Sequence, residues 1–259
     1  MNRTLTLKRL CAVAGAGCLV LALAAQMPPA ARGVQTAADS GKKTAIELCR
    51  PDAGPLPVGG PLQSIHAHVC GFHFYGGDLR RALRADHYCS HLNPEVFQCI
   101  IYDSDQATAR LIGVEYIISE RLFLLLPEEE KKLWHSHRYE VMSGQLVAPG
   151  LPDAAEEALM EEFVGTYGKT WYLWQVDRGD TLPLGLPKLM MGFTADGQAD
   201  AKMVADRDHD LKIDSAKVKA RRVNLPTRPV AAGADGWEHG QTFQINDMLV
   251  KQNTVSPQP

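Results

Sequence analysis

The 259-residue chain has no basic surplus: 27 Lys and Arg stand against 30 Asp and Glu, a formal net charge of −3. A nucleic-acid binder needs a basic patch to track phosphates, so this balance argues against one. Long apolar runs are scarce too. The single one, Leu10–Ala25, lies at the N-terminus, which excludes a chain that crosses a membrane repeatedly by helices. Nor is apolar material too scarce for folding, since 45% hydrophobic and 22% charged residues are globular proportions. The chain carries no Gly-x-Ser-x-Gly elbow, no phosphate loop and no dinucleotide fingerprint, and no internal repeat.

What is present begins at the N-terminus. Arg3, Lys8 and Arg9 precede the apolar run, and Ala22-Leu23-Ala24 places small residues where a signal peptidase reads. The run is shorter than the roughly 20 residues of a spanning helix. Residues 1–24 therefore read as a signal peptide, cleaved near Ala24, and the protein is expected to be exported, periplasmic or secreted. Cys49, Cys70, Cys89 and Cys99 then remain in the mature chain. Cys89 and Cys99 flank a candidate hairpin centred on Pro94. They are either a cross-strand disulfide or two buried thiols.

Residues 25–62 read as a Pro/Gly-rich tether, and 226–259 as a C-terminal extension in which Trp237 is expected to dock back onto the core. Between them, 63–225 read as one domain. Asp86–Leu92 and Phe97–Asp103 are strands joined by Asn93-Pro94-Glu95. Leu111–Ser119 is a β-branched strand, apolar on both faces. Glu120–Leu126 continues as a helix, and Pro127 opens the next one. Asp153 is the expected N-cap of a helix with the stripe Ala155, Leu159, Phe163 and Tyr167. Thr170–Val176 and Leu189–Thr194 complete the strands. Hairpins followed by helices predict an α+β fold: an antiparallel sheet with helices packed mainly on one side.

Seven of the nine histidines lie between 66 and 137. Residues two apart on a strand share a face, so His87, Cys89 and His91 would line one side of a hairpin strand. His66 and His68 repeat the spacing, as do His135 and His137. Glu115 adds a carboxylate to an apolar strand, where a bare charge is costly and needs a partner. Imidazole, thiolate and carboxylate are ligands for transition metals. One reading is thus a metal site, for zinc or a similar ion, built from His87, His91, His135, His137 and Glu115. The other is that the imidazoles hydrogen-bond to backbone and to each other. Asp206, Asp208 and Asp210 alternate like the start of a calcium loop, but Leu211 and Lys217 stand where Gly and Glu are required, so a solvated turn is expected.

The strings "CGFHFYGGD" (70–78), "HYCSHLN" (87–93), "QCIIYDSD" (98–105), "ARLIGVEYIISERLF" (109–123), "LPEEEKKLWHSHRYEV" (126–141) and "TYGKTWYLWQVDRGDTLPLGLPKLMM" (166–191) resemble the oil body-associated protein family. The resemblance covers most of 63–240. Plant members are linked to the surface of seed lipid droplets, and the resemblance implies kinship without supplying a reaction or catalytic residues. It also implies that cytosolic members carry the equivalents of Cys89 and Cys99, which weighs against a disulfide. The leading expectation is an exported binding or envelope-associated protein without assigned catalysis, touching lipid surfaces weakly through the loop 182–187. The alternative is a metal-binding protein or metal-dependent enzyme.

Overall fold

The computed structural model describes residues 59–245, all within one unit, Leu56–Pro259. The expected signal peptide, the tether up to residue 58 and the end of the C-terminal extension, 246–259, lie outside the described residues. The described part of the tether forms one 3-10 turn, Pro61–Ser64.

Seven strands follow: β1 (Ala67–Tyr75), β2 (Asp78–Asn93), β3 (Val96–Tyr102), β4 (Leu111–Ser119), β5 (His135–Ser136), β6 (Thr166–Tyr172) and β7 (Lys188–Met191). They run in the order β4-β3-β2-β1-β7-β6, with β5 added beside β6, and every pairing is antiparallel. A further pairing of β4 with β6 joins the ends. The result is a closed six-stranded barrel with a few short helices. The expected α+β sheet with helices on one side is thereby corrected. Its β2–β3–β4 hairpins are present, because turn residues and period-two alternation specify them locally. The barrel depends on β1, which was not expected as a strand, and on the distant pairings β1–β7 and β4–β6. Closure leaves no row of unpaired edge amides. Gly113 permits the close approach of β4 to β6, since a Cβ there would lie 2.5 Å from the Trp171 carbonyl oxygen.

Side chains alternate inward and outward around the barrel. One inner apolar layer holds Val69, Cys89, Phe97, Cys99 and Ile117, capped by Val141, Leu146 and Phe163. Another holds Tyr75, Ala85, Ile101, Tyr172 and Met190. Cys89 and Cys99 face each other in register and are joined by a disulfide, so the expectation weighed towards free thiols is corrected. Cys70 points outward and is a buried thiol, its pKa pushed up to about 12 chiefly by burial.

The helices are α1 (Glu120–Leu124), α2 (Glu128–Lys131), α3 (Arg138–Met142), α4 (Asp153–Phe163), α5 (Ala201–Leu211) and α6 (Ser215–Arg221). The N-cap of α4 is Pro152 rather than Asp153, and Tyr167 belongs to β6 rather than to the helix. Asp206, Asp208 and Asp210 lie on α5, not in a turn, and Asp208 accepts hydrogen bonds from the Ser215 amide and hydroxyl. Helix α5 and Trp237 cover the outer face of β1 and β7, where Phe72, Phe74, Leu189 and Met191 are buried. This covering explains why β1 is apolar on both faces. Arg207 is buried and donates to the carbonyls of Gln145, Gly144 and Cys70, which fastens α5 to the barrel. No helix among the described residues is long and apolar enough to cross a membrane.

Candidate metal centre

Between the two apolar layers lies a polar one. Glu115 projects inward from β4 and is 1% exposed. Its neighbours are set by register: Cys99 on β3 and Thr170 on β6 stand opposite. Four imidazoles surround the carboxylate. From β2, His87 Nε2 lies 2.8 Å from Glu115 Oε2, and from β1, His73 Nε2 lies 3.6 Å from the same oxygen. From β5 and its end, His137 Nε2 and His135 Nε2 lie 3.1 and 3.6 Å from Glu115 Oε1. The donors form two triads that share Glu115, one with His73 and His87 and one with His135 and His137.

The far nitrogens decide what these rings offer. His87 Nδ1 lies 3.2 Å from the Ala85 carbonyl oxygen, which can only accept, so Nδ1 carries the hydrogen. His137 Nδ1 lies 2.8 Å from Thr166 Oγ1. That hydroxyl donates to the Phe163 carbonyl at 2.7 Å, so it accepts from His137. With Nδ1–H so held, each ring aims its Nε2 at a carboxylate oxygen at hydrogen-bond distance. Each contact is satisfied either by a proton on that nitrogen or by a cation held between ring and carboxylate. His73 Nδ1 is held by the Tyr172 hydroxyl at 3.0 Å. His135 is fully buried and neither of its ring nitrogens has a hydrogen-bond partner. Thr170 Oγ1 and Glu140 Oε2 are also buried without partners, and Glu140 Oε2 lies 3.9 Å from His135 Nε2. Buried polar atoms are rarely left so, and several together in one spot indicate a missing partner.

Electrostatics follow from this burial. Burial pushes the Glu115 pKa up, but hydrogen bonds donated by His137 and His87 in their protonated forms outweigh it and hold the group well below the usual carboxylate range. Burial, reinforced by the charge of Glu115, pushes Glu140 well above that range, so it is held protonated. Burial, opposed by Glu115, lowers His135 to about 3 and carries His73 well below the ordinary imidazole value. These two rings are neutral and able to ligate. A cavity of about 10 Å³, lined by His73, His87, Glu115, His137 and Glu140, lies within the cluster. It suits an occupant about the size of one water.

The structure brings His87, Glu115, His135 and His137 together. It does not bring His91, whose place in the expected ligand set is corrected. That ring is exposed at the barrel rim, stacked on His66 with a nitrogen–nitrogen distance of 2.9 Å. Same-face spacing was right for His87 and His91, but four residues along β2 carry the chain from the interior to the mouth. His73, Glu140, Thr170 and Tyr172 were missed. Only the in-phase placement of His73 with Val69 and Gly71 on a strand would have signalled the first.

Comparison with known proteins bears on kinship. A family model described as "Protein of unknown function (DUF1264)" matches residues 59–226. Oil body-associated protein 1A of Zea mays is 51% identical over 83% of this chain and 91% of its own length. Oil body-associated protein 1B of Arabidopsis thaliana is 40% identical over 81% of this chain and 88% of its own. Oil body-associated protein 2B of Zea mays is 38% identical over 89% and 96%. No solved structure matches.

Proposed function

The chain belongs to the oil body-associated protein family, and from that premise we propose that it is a metal-binding protein. One divalent transition ion such as zinc is held inside the barrel on Glu115, by one of the two triads that share this carboxylate, with His73 and His87 or with His135 and His137. The observation that carries this reading is the tautomer assignment. Ala85 and Thr166 hold the Nδ1 hydrogens of His87 and His137, and their Nε2 atoms converge on one carboxylate. Second partners of this kind orient histidine ligands in metal sites. Imidazoles with a carboxylate suit zinc and its first-row neighbours. Charge also fits: one divalent cation balances Glu115 and Glu140, and binding would release the Glu140 proton. The small cavity leaves no room for a sizeable substrate, so the ion serves binding and stability rather than turnover of a large molecule.

Elemental analysis of the mature protein, exported natively and purified without a His-tag or chelator, tests the reading. Near-stoichiometric transition metal is expected, and its loss in the Glu115→Gln variant. Absence of metal, even after incubation with zinc, copper and iron, refutes it.

A second reading concerns location. The relatives are named for oil bodies. In this chain Leu182 and Leu184 are 59% and 53% exposed in the loop 182–187. Weak contact of this loop with a lipid surface is proposed, in an exported protein. The N-terminal pattern and the Cys89–Cys99 bond, which suits an oxidising compartment, support export. Liposome flotation that leaves the protein wholly in the soluble fraction overturns the lipid contact. Recovery of an uncleaved N-terminus from the cytoplasm overturns the export.

A further inference from the structure

We propose that the cleft of about 580 Å³ between α3 and the segment 227–239 binds a small organic oxyanion, a carboxylate or phosphate ester with a compact apolar body, seated on Arg138. The cleft lies behind β5: Ser136 forms part of its wall, while the flanking His135 and His137 turn into the barrel. Its volume is that of a small-molecule site, and Met142, Val230 and alanines of the 231–234 run supply apolar wall beside a few polar groups.

The charges in the cleft are not equivalent. Both Asp235 oxygens are taken by Ser136, which donates its amide at 2.9 Å and its hydroxyl at 2.6 Å. The Glu238 carboxylate accepts from Thr194 Oγ1. Arg138 is exposed, lines the cleft and has no ion pair or hydrogen bond to any described residue. Its guanidinium, always charged and forked towards planar or tetrahedral oxyanions, is thus unspent, and the exposed His239 lines the same cleft. The wall at Asp235 is built at a cost. Asp235 is one of only two non-glycine residues with positive φ among the described residues, at +51°. Such conformations persist where surrounding structure enforces them, and they gather at ligand sites. Here the Ser136 contacts hold it.

The proposal is independent of the metal reading. Titration calorimetry of the full mature chain with benzyl phosphate, phenylacetate and neutral benzyl alcohol tests it. At least one anion is expected to bind saturably, roughly tenfold or more tighter than the alcohol, since a hydrogen bond to a charged group is worth about that factor. Preference for benzyl phosphate assigns phosphate esters as the ligand class; preference for phenylacetate assigns carboxylates. Arg138→Gln should abolish the advantage of the anion, and Ala232→Trp should fill the cleft and abolish binding. Both positions are exposed, so unchanged thermal unfolding is expected of each variant. The proposal is overturned if neither anion binds saturably at millimolar concentration, if the alcohol binds equally, or if either variant binds like the wild type.

Discussion

Removing the charge of Glu115 tests the barrel interior most directly. In the folded protein this carboxylate is the common partner of His73, His87, His135 and His137. Glu115→Gln keeps its shape and halves the negative charge available to an ion, leaving Glu140 alone to balance two positive charges. The wild-type effect can be sized by linkage. At zinc one hundred times above its dissociation constant, binding only to the folded state stabilises it by about 2.7 kcal/mol. For a unit of this size each kcal/mol moves the melting temperature by about 2–4 °C, so addition of zinc to chelator-treated protein should raise it by about 5–11 °C. Scanning calorimetry with and without zinc reads the shift. It should vanish in Glu115→Gln and persist in His68→Gln, whose ring lies outside the barrel against Asp86. Should Glu115→Gln fail to fold, His87→Asn and His137→Asn carry the same test, one for each triad. A wild type whose melting temperature responds to neither zinc nor chelator, or a Glu115→Gln protein with the full shift, refutes the reasoning.

Gly168→Ala should abolish metal uptake and cost about 1–3 kcal/mol or more in urea unfolding, because the new methyl would overlap Glu115 Oε1 and crowd the His135 ring at 2.8 Å; full uptake by this variant would refute the proposed geometry. Burial raises the Asp235 pKa from 3.8 to about 6. The neutral form is therefore the one folding favours: the stabilisation is complete below the unfolded value and is lost as pH rises through about 6. About two pH units of displacement correspond to about 3 kcal/mol. Between pH 4 and 7 the difference in unfolding free energy between wild type and Asp235→Asn should move against the wild type by about 2–3 kcal/mol; parallel curves would remove Asp235 as the cause. The Cys89–Cys99 bond closes a loop with a sequence separation of 10, so its loss in a Cys89→Ser, Cys99→Ser double variant should cost about 2–3 kcal/mol. A denaturation midpoint unaltered by those substitutions would contradict that figure.

Local chemistry made part of the molecule legible. Asn93-Pro94-Glu95 marks the β2–β3 hairpin, and β-branched residues mark β4 at the bounds expected, Leu111–Ser119. Glu115 stood out because a carboxylate on an apolar strand needs a partner. The spacing of His87, His135 and His137 identified ring donors without showing that they meet. Helix α5 was unreadable as such, because its acidic alternation resembled a turn, whereas Met203 and Val204 pack on the barrel and Arg207 is buried among carbonyls.

The sequence by itself determined family, hairpins and the kinds of donor present, since turn residues, side-chain period and ligand chemistry are properties of short stretches. Tertiary structure alone decided that the sheet closes, because the β4–β6 and β1–β7 pairings join segments far apart in the chain. It also decided which histidines matter. His73 and His87 lie at the height of Glu115 inside the barrel, while His91, on the same face of β2, reaches only the rim. Period fixes the face of a strand on which a side chain sits; only register with the neighbouring strands fixes its depth.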